Sequence, residues 1–552
     1  MNDARIDRGS SMHRSLSIFV HLMIPFVFSI HSSRPAFGAT RVPYGGQLKA
    51  FLAAEPSKIQ RSVLDSAYVV AIASLIYEPL YRLRADGTLE PVLASLPPEV
   101  ASGGRKIIVP LRPPQPTHEG GRLSPEDIRR ALEDLATAGS SAAFAFLPVR
   151  GGRARIEGRQ APLSVKVVED REGASLVFEL TTPYDAFPML LAVPQMLVGG
   201  PDDTGTGPFR RASATGTAEP ANGSARTASP RDREGWTLLP FLLHREGRPF
   251  LDSIVITPIA SRFATTSVVE QRRAHVVLGV PERAPQEVRM LDWPRGPAPQ
   301  ELITLSAGDG ESRGRSPSPS DLAQLDAAIH RTRIVARYLG PAARATRTLR
   351  GTVTFTSPTS HPTANARTEP GRAHRGEGGM PPRSTVANPS NDAGPRTLLV
   401  PKDARFGQRL AERVQLDLIR AGISAKITRI SREEATQRRR QRNYDFLLDT
   451  LYSAAPSEAP MAIRFHGLWQ VAVAQGCPDA IDDASLRAFD EATEAQRAVL
   501  VGALDERIRE ACRIIPIATS PPGIFIRSDV SPISVDGGGR IAFANATSLG
   551  LP

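Results

Sequence analysis

Residues 77–81 read Tyr77-Glu78-Pro79-Leu80-Tyr81, and they lie where a predicted helix within residues 63–83 gives way to an extended segment. Before them, the apolar run at residues 47–53 has the length and composition of a buried strand. After them, Ser124-Pro125-Glu126-Asp127 supplies an N-cap, a proline at the first helical position and a carboxylate at the third, which predicts a helix over residues 128–136. Strands and helices therefore alternate on both sides of residues 77–81, and this alternation predicts an α/β chain.

The same alternation continues toward the C-terminus. Residues 405–421 form an amphipathic helical pattern that Gly422 closes. Further strands are predicted at residues 106–111, 176–180, 254–256, 397–400, 425–430 and 446–448.

Three low-complexity stretches interrupt this pattern at residues 212–234, 307–320 and 357–394. They are rich in Gly, Pro, Ser, Thr, Ala and Arg, and such segments bury too little apolar surface to offset the entropy of ordering the chain. Strand and helix signals resume after each stretch. We therefore expect flexible insertions on the surface loops of one folded body.

The N-terminus has the order of a secretory signal. Arg5, Arg8 and Arg14 precede an apolar run at residues 16–30, and small residues follow at Ala36, Gly38 and Ala39. Residues 1–39 are thus predicted to be a signal peptide, with an uncleaved anchor as the alternative. No cysteine follows the apolar run, so a lipid-modified N-terminus is not predicted.

A formal net charge of +11 raises the question of nucleic acid as a partner. The arginines are spread along the chain, and the densest group, at residues 438–442, follows a capping box that begins at Ser431. No aromatic residues are interleaved for base stacking. We therefore interpret this group as a solvated helix face and predict no nucleic-acid binding.

Patterns of known catalytic and metal sites are absent from the sequence. There is no HExxH, Walker A or GxSxG pattern, and His118-Glu119 has no second ligand pair at metal-site spacing, so neither a metal nor a cofactor is predicted. The glycines at residues 205 and 207 predict a tight structural turn rather than a phosphate-binding loop. Cys477 and Cys512 could pair in an oxidising compartment or remain two buried thiols.

The order of the local motifs resembles the family 5 extracellular solute-binding proteins, whose members serve ABC transporters for peptides, nickel and related solutes. In the N-terminal half the resemblance rests on Tyr77-Glu78-Pro79-Leu80-Tyr81, Asp86-Gly87, Thr117-His118-Glu119-Gly120, Leu123-Ser124-Pro125-Glu126-Asp127, Phe178-Glu179-Leu180, Gly205-Thr206-Gly207-Pro208-Phe209 and Arg248-Pro249-Phe250-Leu251-Asp252-Ser253-Ile254. In the C-terminal half it rests on residues 325–339, on residues 406–427 followed by Tyr444-Asp445-Phe446, and on a terminal helix at residues 497–517.

The resemblance implies a bilobal periplasmic-binding-protein type II-like fold with mixed sheets and an interlobe cleft. Lobe I would comprise residues 40–259 and lobe II residues 260–497, while residues 498–552 return to lobe I; the hinge would lie near residues 256–261 and near the terminal helix. The protein would be a non-enzymatic, periplasmic or otherwise extracytoplasmic monomer. It would capture a peptide or peptide-like solute for ABC permease subunits and meet the membrane only through that transporter.

The ligand is expected at two loops. The first follows the N-terminal strand and contains Glu55; the second follows the strand at residue 446 and contains Asp449, Tyr452 and Ser453. Peptide-binding relatives commonly carry a Trp and then an Asp that pairs with the peptide ammonium, but here the stretch is Leu451-Tyr452-Ser453-Ala454-Ala455. Asp449 is the predicted substitute for that carboxylate, and a structural salt bridge is the alternative.

Two other functions compete with solute capture. The missing Trp–Asp pair and the long insertions allow a degenerate family member that acts as a sensor or protein-interaction module without transport. An enzymatic interpretation, such as a hydrolase, has only scattered Ser, His and Asp residues in its favour.

Overall fold

The computed structural model describes residues 45–52, 60–212, 235–259, 267–279, 288–290, 300–310, 318–339, 343–349, 395–453 and 461–520, apart from single positions at 65, 85, 172, 403 and 405. It also describes residues 523–527 and four short strands between residues 530 and 548. The predicted signal peptide, the loop that contains Glu55 and most of the low-complexity stretches lie outside these residues.

Helices and strands alternate through the described chain. The helices are α1 (Ala67–Ile76), α2 (Pro125–Leu135), α3 (Gly152–Ile156), α4 (Phe187–Leu190), α5 (Pro319–Ala328), α6 (Arg331–Ile334), α7 (Gly407–Arg420), α8 (Arg432–Gln441), α9 (Met461–Ala474), α10 (Asp483–Glu491) and α11 (Glu494–Ala511). The strands are β1 (Gln47–Leu52), β2 (Tyr81–Leu83), β3 (Leu89–Pro91), β4 (Glu99–Ala101), β5 (Lys106–Pro110), β6 (Gln115–Pro116), β7 (Arg122–Leu123), β8 (Val165–Glu169), β9 (Ala174–Glu179), β10 (Phe209–Arg211), β11 (Trp236–Pro240), β12 (Ser253–Pro258), β13 (Val276–Leu278), β14 (Val288–Met290), β15 (Gln300–Ala307), β16 (Arg344–Ala345), β17 (Arg396–Pro401), β18 (Ala425–Ile430), β19 (Phe446–Ser453), β20 (Ile514–Ser520), β21 (Ile524–Arg527), β22 (Val530–Ser531), β23 (Ser534–Val535), β24 (Ile541–Ala542) and β25 (Thr547–Ser548).

Two mixed sheets organise the chain. The first has the order β10-β11-β12-β1-β13-β21-β14, with β1 parallel to β12 and β13 but β21 antiparallel to β13. The second has the order β16-β20-β15-β19-β17-β18, with β17 parallel to β18 and β19 but β15 antiparallel to β19. A separate four-stranded antiparallel sheet, β4-β5-β9-β8, carries α2 against it. The first sheet therefore receives strands from both ends of the chain, and the second sheet is built from the part between them.

The chain changes sheet at two places, between Met290 and Gln300 and between Ser520 and Ile524. Strands β13 and β14 continue the first sheet beyond residue 259, as far as Met290, and the second sheet begins at Gln300. The chain leaves the second sheet at Ser520 and rejoins the first at Ile524. Pairing of β13 with β1 holds residues 276–278 in the first sheet, and the lobe boundaries at residues 260 and 497 stay predictions.

The predicted elements are present, with different ends. Helix α2 has the expected capping box: the Ser124 hydroxyl accepts from the Asp127 amide at 3.2 Å, and the Asp127 carboxylate accepts from the Ser124 amide at 3.0 Å. Strand β19 runs five residues beyond its predicted end because β15 pairs with it along its whole length, from Ala307↔Phe446 to Gln300↔Ser453. The local sequence of β19 thus predicts only its first residues, and pairing with β15 accounts for the rest of the strand.

The second low-complexity stretch is more ordered at its edges than predicted. Ala307 is the last residue of β15, and Ser318 caps α5 through a capping box with Asp321. Regular structure therefore reaches both ends of residues 307–320, and the flexible insertion between them stays a prediction.

Residues 77–81 join α1 to β2, which pairs with β3 in a separate two-stranded sheet. The amide of Gly207 donates to Ile76 O at 2.9 Å, and a Cβ atom at Gly205 would lie 1.9 Å from the same oxygen. Only glycine permits the backbone at residue 205 to come this close to Ile76 O, so the predicted structural turn packs directly against the C-terminal end of α1. His118 takes part in the same contact, because its Nε2 atom donates to Gly207 O at 2.9 Å and burial lowers its pKa.

Glu78 lies at the centre of this region and is almost completely buried. Its carboxylate accepts hydrogen bonds from Thr206 Oγ1 at 2.9 Å and from Arg245 Nε at 3.2 Å, and His244 Nε2 lies 3.4 Å away. Burial raises the pKa of Glu78, but the hydrogen bond with His244 and the charge of Arg245 outweigh it, so the pKa is lowered overall. Glu78 is therefore a buried carboxylate whose charge is compensated.

Cys477 and Cys512 form a disulfide, which decides between the two alternatives that the sequence left open. Cys477 follows the end of α9 and Cys512 is the C-cap of α11, so the bond ties together the two ends of a segment that also contains α10. These helices share one hydrophobic core with the four-stranded sheet.

Candidate ligand-binding cleft

A cavity of about 130 Å³ lies where residues 139–144 meet the second sheet and its helices. One wall comes from the N-terminal half of the chain, and the opposite wall comes from α8, β19 and α9. The cavity is lined by Val63, Gly139, Ser140, Ser141, Ala143, Phe144, Arg432, Thr436, Arg439, Arg440, Thr450, Leu451, Tyr452, Trp469, Gln470, Val471, Val473 and Ala474.

The N-terminal wall is held by hydrogen bonds to Ser141. Its amide donates to Ser62 O at 2.7 Å, and its hydroxyl accepts from the Leu64 amide at 2.9 Å. Across the cavity, Gln470 Nε2 donates to Ser141 O at 3.0 Å. Ser141 therefore fixes the loop before α1 on one side and α9 on the other.

The wall from β19 contains one of the predicted ligand residues. Tyr452 lines the cavity and packs in the same hydrophobic cluster as the first-sheet strands, although its own strand belongs to the second sheet. Ser453 ends β19 opposite Gln300. Glu55 lies outside the described residues. The ligand roles of all three stay predictions.

Asp449 is buried behind this wall and is held by two arginines. Its Oδ1 atom accepts from Arg432 Nη1 at 2.8 Å, its Oδ2 atom accepts from Arg439 Nη1 at 3.0 Å, and its Oδ1 atom also accepts from the Thr450 amide at 2.7 Å. Strand alternation places Asp449 and Leu447 on the face of β19 that α8 covers. The structural salt bridge left open by the sequence is thus present, and a bond from Asp449 to a ligand ammonium stays a prediction.

The interpretation of the arginine group as a solvated helix face is wrong for Arg439. This side chain is only 10% exposed, because it reaches from α8 to Asp449. Its neighbour Arg438 pairs with Glu434 on the same helix at 2.9 Å, whereas Arg440 Nη2 donates to Gly139 O at 3.2 Å across the cavity.

Sequence reasoning missed the α8 wall, although its pattern carried a signal. Arg432, Thr436, Arg439 and Arg440 are spaced i, i+4, i+7 and i+8, which is one face of a helix. A polar face with this spacing next to a strand that contains a buried carboxylate indicates an internal ion pair. No comparable sequence pattern indicates that Ser140, Trp469 and Gln470 line the cavity.

Beside the cavity, aromatic residues from the two parts of the chain pack together. Tyr184 lies near His466 and Phe489, the Tyr184 hydroxyl is 3.1 Å from His466 Nε2, and Phe465 stacks on Phe489 with ring centroids 4.2 Å apart. Burial lowers the pKa of His466 to about 3, so its ring is neutral. The contact therefore contains no charged imidazole.

A polar contact lies next to this aromatic group. The Thr182 hydroxyl donates to Asp490 Oδ2 at 2.7 Å. Burial raises the pKa of Asp490 to about 6, although the Thr182 hydrogen bond and the charge of Arg497 oppose it. The aromatic and polar contacts together hold the helices α9 and α10 against the N-terminal half.

The fold is that of the bilobal periplasmic binding proteins, as the resemblance implies, and this part of the prediction is confirmed by solved structures. The murein tripeptide binding protein MppA of Escherichia coli matches with a TM-score of 0.68 at 15% identity, covering 92% of this chain and 99% of its own. The oligopeptide-binding protein AppA of Bacillus subtilis, in complex with a nonapeptide, matches with a TM-score of 0.64 at 12% identity, covering 92% and 100%. The periplasmic binding protein DppA of Helicobacter pylori, in complex with the peptide STSA, matches with a TM-score of 0.64 at 14% identity, covering 92% and 99%.

These structural neighbours are binding proteins. By sequence, no family model matches the chain, and curated proteins give no match. Within the described residues, no helix has both the length and the apolar character that a membrane crossing needs.

Proposed function

We propose that the protein is an extracytoplasmic solute-binding protein that captures a peptide or peptide-like solute in the cleft between its two lobes and delivers it to an ABC importer. The observation that carries the proposal is the cavity between residues 139–144 and the α8, β19 and α9 wall. A ligand enclosed between two such walls loses water, which strengthens its hydrogen bonds, and its occupancy is coupled to lobe movement.

The remaining parts of the proposal follow from that role. The protein acts without catalysis, as a monomer, and meets permease subunits of the importer at the membrane. Tyr452, Ser453, Asp449 and Glu55 belong to the ligand site directly or through the residues that they position. A degenerate member that acts as a sensor or protein-interaction module without transport is less favoured, because the cavity retains polar groups that can bind a solute, among them Ser140, Gln470 and Thr450.

Ligand-dependent thermal stability of the full chain tests this function. Dipeptides to pentapeptides, free amino acids and Ni²⁺ are added in separate titrations, and at least one class should raise Tm in a saturable way. A ligand at a hundred times its Kd stabilises the native state by about 2.7 kcal/mol, which a melting curve resolves readily.

A matched pair of variants places the binding event in the cavity. Ala474→Phe fills the cavity wall and should weaken the positive titration at least ten-fold, whereas Ala328→Phe, at the end of α5, should leave it unchanged. Folded protein that shows no shift with any of these solutes would reject the proposed function.

A further inference from the structure

Arginine dominates the charge of the cavity. Arg432, Arg439 and Arg440 line it, and no aspartate or glutamate is among the described residues of its lining. Asp449 approaches Arg432 and Arg439 from behind the wall. Within the described chain Arg440 has no acidic partner and bonds only to the carbonyl of Gly139.

Two buried donors of this wall lack a partner among the described residues. They are Arg439 Nε and the Thr450 hydroxyl. Arg439 is nine-tenths buried, so its Nε–H group is shielded from bulk water. An unsatisfied buried donor costs roughly 1–3 kcal/mol, and more when the group is charged. An acceptor that enters the cavity would relieve this cost.

The electrostatic surroundings of Arg440 also favour an acceptor in the cavity. Burial and the charge of Arg439 both lower the pKa of Arg440, because two guanidinium groups share a partly desolvated space. A negative group between them would reverse this effect.

The size of the cavity limits what enters it. With about 30 Å³ for each water molecule of the liquid, a volume of about 130 Å³ corresponds to roughly four waters. Its enclosed part therefore accommodates one small end group of a solute, while the remainder of the solute lies outside that part. Both oxygens of Asp449 already accept charged hydrogen bonds, so the group best matched to this space is an acceptor and not a donor.

We propose that the cavity is an oxyanion subsite in which Arg439 and Arg440, with Thr450, bind a carboxylate of the solute, such as the C-terminal carboxylate of a peptide. The inference rests on the proposed function and specifies which end of the solute is recognised. Asp449 is a positioning residue that orients Arg432 and Arg439. Arg forks match carboxylate and phosphate geometry, so a phosphate group has the shared chemistry and is separated by experiment.

The test compares four probes by calorimetric titration of the full chain: trialanine, N-acetyl-trialanine, trialanine amide and inorganic phosphate. Trialanine and its N-acetyl form should bind within three-fold of each other, and amidation of the C-terminus should weaken binding at least ten-fold. Phosphate that competes with trialanine would support the oxyanion subsite, and phosphate that binds while every peptide fails would assign the subsite to a phosphorylated solute. Loss of binding on N-acetylation with no loss on amidation would overturn the proposal in favour of an ammonium site at Asp449.

Variants of α8 locate the subsite. Arg440→Gln should weaken trialanine binding about ten-fold, while the adjacent Arg438→Gln, whose side chain pairs with Glu434 and does not line the cavity, should change it less than two-fold. Because Arg439→Gln alone leaves Asp449 undercompensated, the double variant Arg439→Gln/Asp449→Asn is used to remove both charges. It should weaken trialanine binding, and a melting curve checks that it folds.

The outcomes separate the two proposals. If solutes of the wider panel raise Tm but neither amidation nor Arg440→Gln changes their affinity, the oxyanion subsite is rejected and the proposed function stands. If no solute, phosphate included, binds the folded wild-type chain, both are rejected.

Discussion

Single residues decide how this fold tolerates buried charge, and Glu78 is the clearest example. Its carboxylate is 1% exposed and bonds to Thr206 and Arg245 near His244. Removing one partner of a buried ion pair costs about 3–5 kcal/mol, because the others remain buried and uncompensated. We expect Glu78→Ala to lower the free energy of unfolding in urea by about this amount.

Glu90 provides the control for Glu78. It pairs with Arg84 at 3.8 Å on the surface, and such pairs contribute roughly 0–1 kcal/mol. If Glu90→Ala costs as much as Glu78→Ala, the buried network does not have the role given to it here.

His466 makes a second residue-scale prediction, which concerns pH. The unfolded chain binds a proton at this residue near pH 6.5, whereas the native state binds it only near pH 3, because burial lowers the pKa of His466 to about 3. The unfolded state therefore binds more protons in this window, and stability falls as pH drops from 6.5 toward 3. His466→Phe keeps a ring beside Tyr184 and Phe465 but removes the titrating imidazole. Urea unfolding between pH 7 and 4.5 should therefore show a smaller loss of stability for this variant than for the wild type.

Asp490 acts in the opposite direction, which gives the comparison for His466. Its pKa is raised to about 6, so between the unfolded value of 3.8 and 6 the native state binds the proton more tightly and stability falls as pH rises. Asp490→Asn should remove this loss. The difference in unfolding free energy between pH 7 and pH 4.5 should therefore be more favourable to pH 7 in the variant than in the wild type. A wild-type pH profile for both variants would contradict the assignment of these two groups.

At the scale of elements, the disulfide between the ends of α9 and α11 makes the next prediction. It closes a loop with a sequence separation of 35 residues that includes α10. By the chain-entropy estimate, a loop of this length is worth roughly 3–4 kcal/mol. The double variant Cys477→Ser/Cys512→Ser should lose about that much stability in urea unfolding, and a reductant should destabilise the wild type but not the variant. Equal sensitivity of both proteins to the reductant would contradict this prediction.

Elements were predictable from sequence where their signals are local. The capping box at Ser124 and the β-branched residues of β18, Ile427, Thr428 and Ile430, set the limits of their elements, because the residues that define them are neighbours in the chain. The end of β19 could not be predicted, because β15, more than a hundred residues earlier, supplies the pairing. The cavity could not be predicted for the same reason. The sequence predicts the helix that contains Arg439, but the position of this helix over Asp449 depends on tertiary packing.

At the scale of the whole molecule, the first sheet combines β1 with β12, β13 and β21, which come from both ends of the chain. No local pattern specifies such pairing, so the bilobal fold could be expected from sequence only through the resemblance. The chain passes to the second sheet once and returns once, and we expect these two passages to serve as the hinge.

We expect the hydrogen bond between Thr182 and Asp490 to contribute to how firmly the N-terminal half and α10 are held together. Loss of one such hydrogen bond is worth about 1 kcal/mol, which corresponds to roughly a five-fold change in the ratio of closed to open forms. We expect Thr182→Val to raise the dissociation rate of a bound solute by up to that factor and to increase the radius of gyration in small-angle scattering of the unliganded protein. Thr88→Val removes a similar hydroxyl–carboxylate bond, to Asp86, that lies within one exposed turn, and it should change neither quantity. If both variants behave like the wild type, the lobes are held by the aromatic contact of Tyr184 with His466 and Phe489, and the polar contact only accompanies it.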